Sequence, residues 1–411
     1  VTQNALRIGL LGHGTVGAAF ERLLAERAER VTELTGRVPE ISGVLTRSRG
    51  NFDEILESSD LIVELIGGAG AALDYVRRSL EADRDVVTAN KQLLSRHGEE
   101  LWELARERGR SLGFEAAVAG VVPVVRVLRE SLAGTRIERI HGIVNGTTNF
   151  ILSEMTRASC TYETALSDAQ RLGYAESDPT DDVGGADAAA KMAILARLAF
   201  DAPVHFDDVR YEGIEQITPA DIAYARDLGL ALKLIGTAER LSDGISVRVH
   251  PAFLYAGHPL ASVGGSFNAV TVEAEAITEI TMSGPGAGGT QTASAVLGDV
   301  IAAVTPGRSG APPMPQPVAL PIVEDVVSAF YLHMEVADRP GVLAQIAAHL
   351  GEQGASIKSV VQRGLGDNAQ LVMVIHPLLE SQLRAATAQI AELPEVHGLP
   401  RAIRVIDEEF E

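Results

Sequence analysis

The feature that most constrains this chain lies near its N-terminal end. The apolar run from Ala5 to Leu11 leads directly into Gly12-His13-Gly14-Thr15-Val16-Gly17, and a helical pattern follows through Phe20, Leu23 and Leu24. A continuous apolar run of this length reads as a strand buried on both faces of a parallel sheet. Strand, G-x-G-x-x-G and helix in that order form the dinucleotide-binding fingerprint. Its glycines allow a tight turn and close approach of backbone to a pyrophosphate seated on the helix N-terminus. Gly12, Gly14, Thr15, Val16 and Gly17 are therefore expected to hold a dinucleotide, with the His13 side chain turned away. Further strands are predicted at Ile41 to Leu45, Leu61 to Leu65 and Val86 to Val87, the last entering Thr88-Ala89-Asn90-Lys91. After the second strand comes Thr46-Arg47-Ser48-Arg49, where an acidic residue would select NAD. Arg47 and Arg49 instead favour the 2'-phosphate of NADP, with NAD still usable.

The rest of the chain follows from length and punctuation. With 411 residues there is room for two or three domains. From about Arg126 a helix, a strand at Ile137 to Val144 and the turn Asn145-Gly146-Thr147-Thr148-Asn149 open a second region. Six of the 18 prolines fall between 305 and 321, which predicts an extended linker. Beyond it, strands at Phe330 to Val336, Ser356 to Gly364, Gln370 to His376 and Ala402 to Ile406 alternate with helices at Val342 to Leu350 and Glu380 to Ile390. That βαββαβ order is ferredoxin-like. The net charge of -20 argues against nucleic acid and anionic membrane surfaces as partners. Cys160, the single cysteine, excludes an intrachain disulfide. With neither a signal sequence nor an apolar run of ~18 residues in view, a cytoplasmic protein is expected.

Chemistry concentrates in two places. Five carboxylates, Glu176, Asp178, Asp181, Asp182 and Asp187, occupy one dozen residues with no basic residue among them. Asp187 and Lys191 then stand four apart on a helix whose continuation, Met192, Ile194, Leu195 and Leu198, predicts burial. A surface ion pair of this spacing would contribute only about 0.3–0.5 kcal/mol. A buried one beside carboxylates suits a zwitterionic substrate and proton transfer. Only four lysines, Lys91, Lys191, Lys233 and Lys358, occur among the 35 basic residues. Lysine retained in such a chain points to positions where an ammonium that can titrate is needed. The ten histidines lack metal-ligand spacing, and no G-x-S-x-G elbow occurs. A dinucleotide and a lysine acid/base together imply hydride transfer.

Taken together, Gly12 to Gly17, Val87 to Lys91, Phe114 to Gly120, Asn145 to Asn149, Gly173 to Glu176 and Gly284 to Gly288, followed by Thr292 to Val296, resemble the homoserine dehydrogenases in their longer form with a C-terminal ACT domain. That resemblance implies an NAD(P)-linked interconversion of L-homoserine and L-aspartate 4-semialdehyde, on the branch to threonine and methionine. It makes Lys191 the catalytic acid/base, with Asp187 and Lys91 beside the reacting centre. Thr147, Glu176, Asp182 and Asp187 match substrate-contacting positions. Thr88, Lys91, Gly286 and Gly288 fall with the cofactor. Two neighbouring ammonium groups are expected to lower each other's pKa toward the working pH. Lys233 is read as structural. Backbone carbonyls of Glu115, Val118, Gly120 and Val122 match a monovalent-cation site. There the family usually reads Gly-Gly-Ile-Pro and this chain reads Gly120-Val121-Val122-Pro123, which adds a Cβ at 121.

The resemblance also implies an amino-acid effector, with threonine expected, at Asp338-Arg339-Pro340-Gly341, and a homodimer or homotetramer. The expected organisation is an α/β chain: a Rossmann-type parallel-sheet domain over 1–127, an α+β substrate and dimerisation domain over 128–304, a Pro-rich linker over 305–322 and a ferredoxin-like ACT domain over 323–411. Residues 290–304 are expected to pack back on the first domain. Two rivals stand beside this reading. One is an oxidoreductase of another short semialdehyde or hydroxy amino acid, motivated by Val121; the other is a non-catalytic amino-acid sensor.

Overall fold

The computed structural model describes residues 4–305, 317–364 and 366–406. Most of the Pro-rich linker lies outside the described residues. Its described end is tied down: Val318 N–H donates to the Asp201 carbonyl, and Ile245 N–H to the Pro321 carbonyl.

Five parallel strands form the first sheet. They are Val38–Leu45, Ala5–Leu11, Leu61–Glu64, Asp85–Thr88 and Leu112–Gly113, in that spatial order. The continuous apolar runs follow from burial on both faces. Leu6, Ile8 and Leu10 pack with Phe20, Leu24 and Val31 on one side, whereas Ile62 and Val86 face Val76, Leu80 and Leu93 on the other. Helix Gly289–Val304 completes the first of these layers through Val296, Leu297 and Val300, although it comes from far along the chain. The order of the strands reverses beside Ala5–Leu11. A crevice forms there, outside the carboxyl ends of the strands, where ligands of open α/β sheets bind.

A second sheet carries the remaining strands. Its main path runs Thr278–Pro285, Phe267–Ala274, Ile137–Ile143, Leu230–Arg240, Ile245–Tyr255, Val396–Ile406, Val327–Val336, Ala369–Leu379 and Ile357–Arg363. The last four, with helices Val342–Glu352 and Glu380–Ala391, make the ferredoxin-like unit with its own core around Leu332, Ile346, Met373 and Ile390. No gap separates that unit from the middle region. Strand Val396–Ile406 pairs in parallel with Ile245–Tyr255, so one sheet passes through both.

A buried polar knot reinforces this seam. Asp221, fully buried on helix Pro219–Asp227, accepts from the Thr218 hydroxyl, from Arg401 and from His333 Nδ1 at 2.9 Å. Burial alone would raise the Asp221 carboxyl, but these partners hold it below the usual carboxylate range. A carboxylate depressed in the folded state contributes stability above its unfolded pKa, which is lost as pH falls through the folded value. Asp221→Ala is expected to destabilise the protein by about 1–3 kcal/mol near neutral pH, because Thr218, His333 and the half-exposed Arg401 lose one shared buried acceptor. Chemical denaturation against pH should show that deficit shrinking below pH ~4.

Candidate active site

The glycine turn has the geometry a pyrophosphate needs. Gly12 adopts φ +100°, and a Cβ there would stand 2.5 Å from the Leu65 carbonyl oxygen. A Cβ on Gly17 would collide with the Gly12 carbonyl, so helix Thr15–Glu26 sits hard against the strand. At Gly14, the residue capping that helix, the same construction meets nothing within 4 Å. The open position faces outward at the free N–H groups of the helix, a cradle a dinucleotide fits. Thr15 is exposed, and Val16 lines the cleft beyond. His13 points elsewhere, pairing with Glu21 at 2.7 Å. Arg47 and Arg49 are exposed at the end of the second strand and make no ion pair among the described residues.

The cleft itself has a volume of about 290 Å³. One wall is Leu65, Ile66 and Gly67, a second Ala89, Asn90 and Lys91, a third Ala116, Ala117 and Gly120. Gly286, Ala287 and Thr292 close it from the middle region, and Lys191 stands on its floor. Gly288 caps helix Gly289–Val304, whose first residue abuts Thr15.

At the floor one carboxylate joins two lysines. Asp187, on helix Ala186–Phe200, is buried; its Oδ1 lies 2.6 Å from Lys91 Nζ and its Oδ2 2.7 Å from Lys191 Nζ. Lys91 is the first residue of helix Lys91–Arg108, capped by the Asn90 side chain, so the triad spans both domains. Lys191 Nζ also donates to the Val144 carbonyl at 2.8 Å. Burial would push the Asp187 carboxyl up, but Lys191 and Lys91 drive it well below its ordinary value. The expectation that the two ammonium groups depress one another is overturned for Lys91. Burial pulls it down, yet Asp187, Asp182 and Asp181 outweigh that and hold it above its usual value. The carboxylate sits between the charges and screens their repulsion.

Asn145 extends the network. It caps helix Gly146–Ala158 through Oδ1, and its Nδ2 donates to Asp182 Oδ1 at 2.7 Å and to Asp187 Oδ2 at 2.8 Å. Asp182 is raised, first by burial and then by repulsion from Asp187. Thr147 donates to the Tyr174 carbonyl at 2.7 Å, and Glu176 lies exposed on the same turn. Asp178 instead accepts from Thr180 and shapes the loop. Lys233 is buried, bonded to Asn149 Oδ1 and the Val263 carbonyl, and lowered to about 8 by burial, apart from the cleft lining.

Several residues are used differently from their sequence expectation. Thr88 does not reach the cleft: its hydroxyl donates to buried Glu64 Oε2 at 2.6 Å and accepts the Asn90 N–H at 3.0 Å. Glu64 Oε1 also accepts the Ile66 N–H at 2.7 Å, so this acid, overlooked in the sequence, ties two cleft walls together. Asn145 is a further site residue that the Asn145–Asn149 motif does not single out.

The loop from Glu115 to Val122 approaches Pro285 and Gly286 at Gly120. The Glu115 carbonyl already accepts from Val118, and the Val122 carbonyl from Val124. The Glu115 side chain binds the N–H groups of Val125 and Arg126, while burial and then Asp299 raise it to about 7. Among the described residues no cluster of three or more His, Cys, Asp or Glu side chains could hold a metal ion. Val121 directs Cγ1 at Gly284, where a Cβ would come within 3.3 Å. Asp338, Arg339, Pro340 and Gly341 form an exposed turn capping helix Val342–Glu352, and none of them lines the cleft.

A parallel sheet, a glycine cradle and a lysine–aspartate–lysine floor define a nicotinamide-dinucleotide-dependent oxidoreductase with an appended ferredoxin-like unit. The comparisons agree. The family model "Homoserine dehydrogenase, NAD binding domain" matches residues 12–115, "Homoserine dehydrogenase" matches 123–301, and "ACT domain" matches 330–395. A homoserine dehydrogenase of Corynebacterium glutamicum is 43% identical, covering 98% of this chain and 96% of its own. One from Neisseria gonorrhoeae is 38% identical, covering 94% and 95%. The crystal structure of a homoserine dehydrogenase from Thiobacillus denitrificans superposes with TM-score 0.94 at 37% identity, covering 98% and 99%. The chain belongs to the homoserine dehydrogenase family.

Replacing Thr88 with Val keeps its shape and removes the bonds to Glu64 and Asn90. A loss of about 1–3 kcal/mol in unfolding free energy is expected. Turnover should fall more than nucleotide affinity, because Lys91 loses its support. Paired denaturation and steady-state kinetics check this; a change confined to nucleotide affinity would put Thr88 back on the cofactor.

Proposed function

We propose that the chain interconverts L-homoserine and L-aspartate 4-semialdehyde with NADP preferred over NAD. The observation that carries this reading is the buried Asp187 carboxylate shared by Lys91 and Lys191 on the cleft floor. A bound nicotinamide supplies or accepts the hydride. In the reducing direction Lys191 Nζ gives a proton to the oxygen of the aldehyde as it becomes an alcohol, and in the oxidising direction it takes that proton back. Asp187 holds Lys191 by a 2.7 Å bond and fixes where the proton is delivered. The Lys91 ammonium adds positive charge beside the same oxygen. Asp182 and Glu176 take the substrate ammonium, and Thr147 frames the turn that presents Glu176.

The four backbone carbonyls matched to a cation come with no side-chain donor set, and two already accept N–H groups. Arg47 and Arg49 support NADP, since both guanidinium groups are exposed without partners among the described residues. A hyperthermophilic archaeal homoserine dehydrogenase solved in complex with NADPH shares 26% identity, with TM-score 0.64 over 73% of this chain and 97% of its own. The ACT unit is read as the seat of feedback by L-threonine at the turn Asp338–Gly341. A homodimer or homotetramer and a cytoplasmic setting complete the proposal. Among the described residues no helix is long and apolar enough to cross a membrane.

Lys191→Ala should lower kcat for homoserine oxidation by about 10²–10⁴-fold, the span of a lost general acid or base, while NADPH binding persists. Unchanged turnover would remove Lys191 from its role. Arg47→Ala with Arg49→Ala should raise KM for NADP by roughly tenfold or more, one charge-assisted contact, and leave KM for NAD unaltered. Equal effects on both cofactors would contradict the 2'-phosphate assignment. Because Asp187 and its neighbours hold Lys91 above its ordinary value, its ammonium should stay charged through the alkaline range, and a pH profile of homoserine oxidation in the wild type against Lys91→Gln should show the benefit of that charge undiminished up to the ordinary lysine pKa of about 10.

A further inference from the structure

A cavity of about 380 Å³, larger than the catalytic cleft, lies at the free edge of the first sheet. Strand Leu112–Gly113 ends that sheet and pairs on one side only, with Asp85–Thr88. Beside its open edge stand the last turns of helix Lys91–Arg108 and of helix Gly289–Val304, and the segment Val125 to Glu130 closes the remaining side. Glu115 lines this cavity whereas Ala116 and Ala117 line the cleft, so one short segment separates the two. Among the described residues none of the ACT unit lines it.

Its walls are apolar and partly aromatic. Trp102, Ala105, Leu112, Phe114 and Val125 are buried, and the rings of Trp102 and Phe114 stand 5.3 Å apart. The charges of the lining, by contrast, do not balance. Glu115 already accepts the N–H groups of Val125 and Arg126, each at 2.9 Å. Asp299 accepts the Glu115 N–H at 2.8 Å and the Arg126 guanidinium at 3.2 Å. Glu130, the third acid, stands 3.7 Å from Arg126 as well. Arginine is left over. Arg106 has an exposed pair with Glu103 on its own helix at 3.3 Å, a contact of small worth. Arg110 is exposed, and its side chain makes neither a hydrogen bond nor an ion pair among the described residues.

A buried donor is left over too. Trp102 is 7% exposed, and its Nε1 has no hydrogen-bond partner. A buried indole N–H usually finds an acceptor. Helical spacing puts Arg106 one turn beyond Trp102 on the same face. The cavity therefore lacks an acceptor that carries negative charge, while its apolar walls disfavour a bare hydrated ion. We propose that it is a second ligand site, which takes a small monocarboxylate with an apolar tail. Arg110 and the Trp102 N–H hold the carboxylate, and the tail lies against Leu112, Phe114 and Ala302. The site is independent of the reaction at the cleft.

Trp102 is the only tryptophan of the chain, so its fluorescence reads this cavity directly. The full chain is titrated with hydrocinnamate and isocaproate. Acetate and inorganic phosphate carry charge without a tail, and the matching alcohols carry a tail without charge. Emission should change saturably with at least one of the two carboxylates and with none of the controls. Arg110→Gln, at an exposed side chain outside the cleft, should raise the Kd by about tenfold and leave homoserine turnover as in the wild type. Trp102→Phe keeps an aromatic wall and removes the donor, and calorimetry should show weaker binding there. The proposal is overturned by alcohols that bind as tightly as the carboxylates, by a Kd unmoved in either variant, or by heat of binding without a change in Trp102 emission. Absence of binding by both carboxylates overturns it equally.

Discussion

A single buried carboxylate holds the working parts of this molecule together. Asp187 receives Lys191 from its own helix and Lys91 from the helix that leaves the fourth strand of the dinucleotide domain. Without the acid, two ammonium groups would face each other in a half-buried site; without the lysines, a carboxylate would be buried uncompensated. Either loss is costly, so the triad fixes the approach of the two domains together with the position of the proposed proton donor. The substrate cleft is the space left above that clasp.

The same device recurs around the cleft. Glu64 gathers the Ile66 N–H and the Thr88 hydroxyl, Glu115 holds the N–H groups of Val125 and Arg126, and Asp299 holds the Glu115 N–H and Arg126. Each acid fastens loop backbone that would otherwise be satisfied by water. Burial then raises Glu64 and Asp299, the latter to about 6. Loops at the carboxyl ends of a parallel sheet thereby become rigid walls, and hydride transfer depends on rigid placement. Asp221 does comparable work at the ACT seam, tying His333 and Arg401 to the substrate domain.

Much of the fold was legible because its signals are local. The glycine turn declares itself by spacing, the Asp187–Lys191 pair by helical period, and the ferredoxin-like order by alternating strands and helices. The scarcity of lysine singles Lys91 out and the family resemblance places it at the site, since no local pattern brings position 91 to position 187. Thr88 was misplaced for a related reason: it stands at the right end of the right strand, but its hydroxyl is captured by an acid 24 residues away. Asn145 escaped because one amide serves a helix cap and two carboxylates at once. The passage of one sheet through both the middle region and the ACT unit escaped as well, because the pairing of Arg404 with Ala252 leaves no mark in either strand's sequence. The expected lowering failed at Lys91 because charge proximity was read without the carboxylate between the two ammonium groups.

The most direct test of the clasp is turnover of Asp187→Asn with L-homoserine and NADP, alongside NADPH binding on the same preparation. Asparagine keeps the volume and removes the charge that aligns both lysines. The account predicts that kcat falls by about 10²-fold or more while NADPH still binds, since the glycine cradle is untouched. Turnover close to that of the wild type would contradict it and return the proton-transfer role to some other group on the cleft floor.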